Sequence, residues 1–86
     1  MTGRLSPAGA ARRRRILRLA RRPVTLGELE RLARQHERGS RDLAARGLKV
    51  RAAVRSLVRA GCLSRTGPGL RTTAAGEAHY AELAGL

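Results

Sequence analysis

Lys49, Arg51, Arg55 and Arg59 place four cations in eleven residues, with no acid among them and with Ala52 and Ser56 set between. A guanidinium offers a planar fork of N–H donors. Its best matches are forked or planar acceptors, namely a phosphate or the edge of a guanine. Wound as a helix, the segment separates into two faces. Val50, Val54, Leu57 and Val58 recur at i, i+4, i+7 and i+8 and form an apolar stripe. Ala52, Arg55, Ser56 and Arg59 fall on the opposite side, with Lys49 and Arg51 on the flanks. One face suits a core and the other suits close approach to a polyanion. The alternative is a merely solvated basic face.

The rest of the chain carries the same sign. Lys+Arg number 19 against six Asp+Glu, a formal charge of +13 on 86 residues. Mutation pressure in a GC-rich genome accounts for choosing Arg over Lys, but it explains the deficit of acids poorly. The surplus points to nucleic acid. Arg12, Arg13, Arg14 and Arg15 form an uninterrupted tract that cannot face one way on a helix. It reads either as phosphate anchorage or as a solvated turn, one stem lying over the core. Arg41 and Arg46 are treated alike, as backbone contacts or surface.

Several chemistries are disfavoured. The chain has one cysteine, Cys62, and two histidines, His36 and His79. That leaves no disulfide and no zinc site of the usual ligand count. Cys62 reads as a buried structural thiol. No glycine-rich phosphate loop, carboxylate pair or nucleophile–base set is visible, so neither catalysis nor a cofactor is expected, and no small-molecule ligand is evident. Tyr80 is the one aromatic, which disfavours single-strand binding by base stacking. It reads as a packing anchor. No run approaches the roughly 18 apolar residues of a membrane span, and no signal peptide is visible. The expected location is the cytoplasm, on the nucleoid of a GC-rich bacterium.

The elements that would position these groups follow from caps and breakers. Residues 1–5 read as a flexible lead-in and 6–86 as a single domain. Ser6 before Pro7 starts a first helix to about Arg21, stopped by Pro23, with Ile16, Leu17, Leu19 and Ala20 as its buried candidates. Val24 fits a very short strand. Thr25 with Glu28 three residues on is a capping box, opening a second helix to Gln35 or His36 with Leu26, Leu29, Leu32 and Ala33 on one side. Ser40 would cap a short helical turn over 41–46, with Leu43 inward and Gly47 as a left-handed stop. The basic third helix follows from Lys49 to Ala60, ended by Gly61. Cys62–Arg65 and Leu70–Thr72 would pair as a hairpin around Thr66-Gly67-Pro68-Gly69, with Arg65 and Arg71 on its arms. Thr73 caps a last helix to about Ala84, with Ala78, Ala81 and Leu83 available for packing.

Helix, helix, helix, hairpin, helix resembles a winged helix-turn-helix domain. Val54 to Arg65 is similar to that family's step from third helix into wing. Leu70-Arg71-Thr72-Thr73-Ala74-Ala75-Gly76 resembles the wing-to-last-helix junction of MarR- and PadR-like regulators, and Pro23 to Leu29 resembles the entry to their second helix. The resemblance covers roughly residues 12–84. It departs from the family in a longer span between the second and third helices and in lacking the flanking dimerisation helices.

The resemblance implies a mainly α fold with a small β-hairpin, a three-helix core plus wing and C-terminal helix. It implies duplex DNA as the partner, with Lys49, Arg51, Ala52, Arg55, Ser56 and Arg59 in the major groove. Arg65 and Arg71 would touch the backbone or minor groove from the wing. The role would be that of a small transcriptional regulator, or of an accessory factor of a plasmid or phage. A homodimer or a larger protein assembly stays open. The rival expectation is a winged-helix module that docks on an acidic protein partner. Duplex RNA fits less well, because an A-form major groove does not admit a helix.

Overall fold

A computed structural model describes residues 6–35 and 43–85, with the backbone alone for 43–46. The elements are α1 (Pro7–Leu19), β1 (Val24–Thr25), α2 (Leu26–Arg34), α3 (Leu43–Arg59), β2 (Leu63–Thr66), β3 (Gly69–Thr72) and α4 (Ala74–Ala84). The fold is thus mainly helical, with one small antiparallel sheet in the strand order β1-β3-β2.

Local chemistry sets most of the boundaries. The Ser6 hydroxyl accepts from the Gly9 N–H at 3.0 Å, Thr25 from Glu28 at 3.2 Å and Thr73 from Gly76 at 3.0 Å. Each satisfies one of the N–H groups a helix start leaves without a partner. Pro7 stands at the start of α1, where no N–H is needed. At the end of α3, Gly61 takes a φ of 80°. The Cys62 and Gly61 N–H groups reach back to the Leu57 and Val58 carbonyls at 2.9 and 3.0 Å, the pattern of a left-handed helix stop. Gly67 has a φ of 57°. Followed by Pro68, it gives the sign sequence of a tight hairpin turn that matches strand twist.

The sheet is wider than the expected hairpin. Val24 and Thr25 pair with Leu70 and Gly69 of β3, and β3 pairs with β2 from Leu63↔Thr72 to Thr66↔Gly69. Gly69 permits this, since a Cβ there would stand 2.8 Å from the Val24 carbonyl oxygen. The far end of β3 is fastened to α1. The Thr72 N–H donates to Ala20 O at 2.8 Å and its hydroxyl to Leu17 O at 2.7 Å.

Ile16, Leu17, Leu29, Val50, Leu57 and Leu63 are the largest fully buried side chains, joined by Ala33, Val54, Leu70 and Leu83. All the helices and both hairpin strands contribute, which is how a chain without Phe or Trp closes a core. Burying a Leu or Val side chain contributes about 1.5–3 kcal/mol.

Three expectations are corrected. Residues 43–46 of the expected short turn and the third helix are one helix, Leu43–Arg59, which runs through Gly47. Gly47 is not left-handed; among the described residues only Gly61 and Gly67 have positive φ. It is buried, and a Cβ on it would meet the Arg34 side chain at 3.7 Å. A mid-helix glycine costs about 1 kcal/mol, and the flanking Ala, Leu, Lys and Arg, all good helix formers, outweigh it. Second, Ala78 and Ala81 are exposed. The face of α4 that packs is made by Gly76, Tyr80 and Leu83. Third, Leu26 does not join the α2 core face but is 42% exposed, while Leu32 and Val58 are half-buried. The lead-in 1–5, His36, the Ser40 cap and Arg41 lie outside the described residues, as do the side chains of Leu43 and Arg46.

Candidate nucleic-acid interface

α3 is the element around which the cations gather. Val50, Ala53, Val54 and Leu57 turn inward and are buried. Leu48, Ala52, Arg55 and Arg59, at i, i+4, i+7 and i+11, turn outward and are exposed. Arg55 and Arg59 have no hydrogen-bond or ion-pair partner among the described residues. A core-facing stripe on one side therefore fixes two unengaged guanidinium groups on the other.

The remaining predicted residues of this helix are placed differently. Arg51 turns toward α2. Its Nε and one Nη donate to the Glu30 carboxylate at 2.9 and 3.3 Å. Hydrogen bonding to Glu30, reinforced by its charge, raises the Arg51 pKa further above its ordinary value. Ser56 is half-buried and accepts a 3.0 Å hydrogen bond from Arg13 of α1. Its hydroxyl thus serves the α1–α3 contact. Lys49 is exposed on that same flank, beside Arg12 and Arg13 in a cleft of about 280 Å³.

On the opposite flank, α3 and the β2–β3 hairpin enclose a groove of about 520 Å³. Arg51, Arg55 and Arg59 line it from α3 and Arg65 from the hairpin, over a floor that includes Val54, Val58 and Leu70. Among the described residues no acidic side chain lines it. Arg65 pairs across the strands with Leu70, and Ser64 with Arg71. Paired residues share a face and neighbours alternate. Arg65 therefore sits on the face toward α3 and Arg71 on the other, so the two hairpin arginines do not act together.

The arginine tract is largely spoken for. Arg12 through Arg15 are all half-buried. Arg13 holds Ser56, and Arg14 donates to the Leu83 carbonyl at the end of α4 at 3.2 Å, where a cation complements the helix dipole. Arg12 and Arg15 are also engaged. Farther on, Arg21 chelates Glu77 and lies 4.7 Å over the Tyr80 ring. Tyr80 thus packs α4 against the arginine that follows α1. Cys62 is buried, its thiol facing the Ala75 carbonyl.

Sequence reasoning missed Glu30 as the partner of Arg51, because the two are 21 residues apart on different helices. It also missed the groove, whose floor draws together Val54 and Val58 of α3 with Leu70 of β3. Among the described residues no group of three His, Cys, Asp or Glu is placed to hold a metal ion, and no helix is long and apolar enough to cross a membrane. Compared with protein-family models, with curated proteins and with solved structures, the chain matches none.

Proposed function

We propose that this chain is a winged helix-turn-helix domain that binds double-stranded DNA, with α3 in the major groove and the β2–β3 hairpin as the wing on the neighbouring backbone. The element order and the strand order β1-β3-β2 support the fold. One observation carries the function. The outward side of α3 presents Arg55 and Arg59, exposed and unengaged, across a groove from Arg65. A major groove accepts a helix, and arginine forks match guanine O6 and N7 there. Ala52, exposed beside them, lets the helix approach closely.

The roles divide as follows. Arg55 and Arg59 read base edges. Arg65 and Lys49 hold phosphates on the two flanks of α3, with Arg71 outside this set. The charge surplus supplies affinity that does not depend on sequence. Such a protein acts as a small transcriptional regulator or as an accessory factor of a plasmid or phage.

A second reading has one observation in its favour. Leu48 is 62% exposed on the same outward side of α3. A large apolar residue there suits a module that docks on an acidic protein partner. A shift assay in which duplex DNA, duplex RNA and single strands compete for the protein separates the readings. Preferential retention of duplex DNA supports DNA recognition. Failure to bind duplex DNA at low salt overturns it in favour of the docking module.

A further inference from the structure

We infer that the shallow cleft between α1 and α4 is a second phosphate-binding surface, which takes the backbone of a further DNA duplex, so that one chain bridges two. The cleft has a volume of about 170 Å³ and is lined by Ala11, Arg14, Arg15, Arg18 and Tyr80. Among the described residues no acidic side chain lines it. Of the two acids on α4, Glu77 is chelated by Arg21 and Glu82 stands outside the lining.

α1 divides its arginines between two sides of the molecule. Arg13 bonds Ser56 of α3, and Arg12 and Arg13 share a cleft with Lys49 beside that helix. Arg14 instead reaches the Leu83 carbonyl of α4. Residues two apart on a helix do not share a face, whereas residues three apart do. Arg15 therefore turns away from the side on which Arg13 meets α3, and Arg18 follows it. A duplex seated on the outward side of α3 lies on Arg13's side of α1, which leaves this row for another ligand. Arg18 and, just beyond α1, Arg22 are exposed, with no hydrogen-bond or ion-pair partner among the described residues.

The chemistry of the cleft narrows the ligand. It is smaller than the roughly 300–1,000 Å³ that hold a small organic molecule, and no large aliphatic side chain lines it. Guanidinium forks match the oxygens of a phosphate. Arg21 covers one face of the Tyr80 ring at 4.7 Å, which disfavours stacking by a base and hence a single strand. The choice of DNA rests on the proposed function, since a chain held on one duplex by α3 meets other duplex at high local concentration.

The test uses duplexes too short to seat two chains, mixed with the full chain at low salt, with the masses of the complexes read by sedimentation. The expected result is one chain with two duplexes. Arg18→Glu is expected to weaken the second duplex about ten-fold and to leave the first little changed. Arg18→Lys keeps the charge and should keep both duplexes. Arg18 is exposed, so both variants should melt as the wild type does.

One duplex per chain overturns the inference and leaves the DNA reading standing. So does a complex of two chains with two duplexes, which marks pairing of copies, or a second duplex held unchanged by Arg18→Glu. Polyglutamate that displaces the second duplex as readily as unlabelled DNA does also overturns it, because the surface then answers to any polyanion. The α3 reading fails separately. If Arg18→Glu removes all duplex binding while Arg55→Ala with Arg59→Ala removes none, the α1–α4 surface stands and α3 is not the reader. No duplex binding at all sinks both.

Discussion

The Arg13 guanidinium on α1 donates a 3.0 Å hydrogen bond to the Ser56 hydroxyl on α3, joining residues 43 apart in the chain. Both side chains are half-buried, so the bond belongs to the packing of α1 on α3. Residues that a sequence reading places on the interface therefore belong to its foundation.

Arg13→Ala and Ser56→Ala are expected to lower stability by about 1 kcal/mol each, the usual worth of such a bond. Combined, they should cost clearly less than the sum, because one bond is removed twice. Thermal unfolding monitored by circular dichroism checks this. Arg55→Ala, with no partner to lose among the described residues, should stay within about 0.5 kcal/mol of the wild type.

Glu30 restrains Arg51 through two hydrogen bonds. Glu30→Gln removes a negative charge beside α3 and frees a cation. The expected outcome is tighter binding to random duplex and a salt dependence steeper by about one ion. Stability should fall by no more than about 1 kcal/mol, because Arg51 is exposed, Glu30 is half-buried, and Gln keeps a hydrogen-bond acceptor there. Fluorescence anisotropy across a salt series reads both quantities. Weaker binding at every salt concentration would contradict this role.

Two glycines in helices should respond oppositely to alanine. At Gly76 a Cβ would stand 2.2 Å from the Cys62 carbonyl oxygen and 2.6 Å from Thr72 Cγ2. Backbone cannot yield there cheaply, so Gly76→Ala should destabilise by about 1–3 kcal/mol or more. At Gly27 nothing lies within 4 Å. Gly27→Ala should stabilise by about 0.4–1 kcal/mol through helix propensity and a more restricted unfolded chain. Denaturant melts of the two variants give the comparison.

Thr73 fastens the turn after α3 to the start of α4. Its hydroxyl accepts from the Gly76 N–H and donates to the Gly61 carbonyl at 2.6 Å. Thr73→Ala should cost about 1–2 kcal/mol, and Thr73→Ser should recover most of it. Equal losses for both would mean that the methyl group, not the hydroxyl, makes the junction.

Much of this architecture was legible in local chemistry. Ser6, Thr25 and Thr73 cap helices where their positions predict, because a cap depends on a few adjacent residues. Gly61 stops α3, and the turn composition of Thr66-Gly67-Pro68-Gly69 becomes the hairpin. The inward stripe of Val50, Val54 and Leu57 also follows from spacing alone. Gly47 misled because the local preference of glycine to end helices ignored the good helix formers around it, Ala44, Ala45, Leu48 and Lys49 among them. Ala78 and Ala81 misled because α4 has almost no amphipathic pattern to say which side packs. The candidate interface was legible at Arg55 and Arg59, which depend only on the orientation of α3. It was not legible at Arg51, Ser56, Arg13 and Arg14, whose partners lie on other helices. Arg65 and Arg71 look equivalent in sequence, and only the strand register separates their faces.

The central claim is that the outward side of α3 reads base edges, and Arg55 is its most direct test. Duplexes selected by the wild-type protein from random sequence supply a preferred site. The affinity of the wild type and of Arg55→Ala is then measured on that site and on random duplex at the same salt. The account predicts a loss of about 1–3 kcal/mol on the preferred site and a smaller loss on random duplex, so that discrimination collapses. Equal losses on both would contradict it and reduce Arg55 to a phosphate contact.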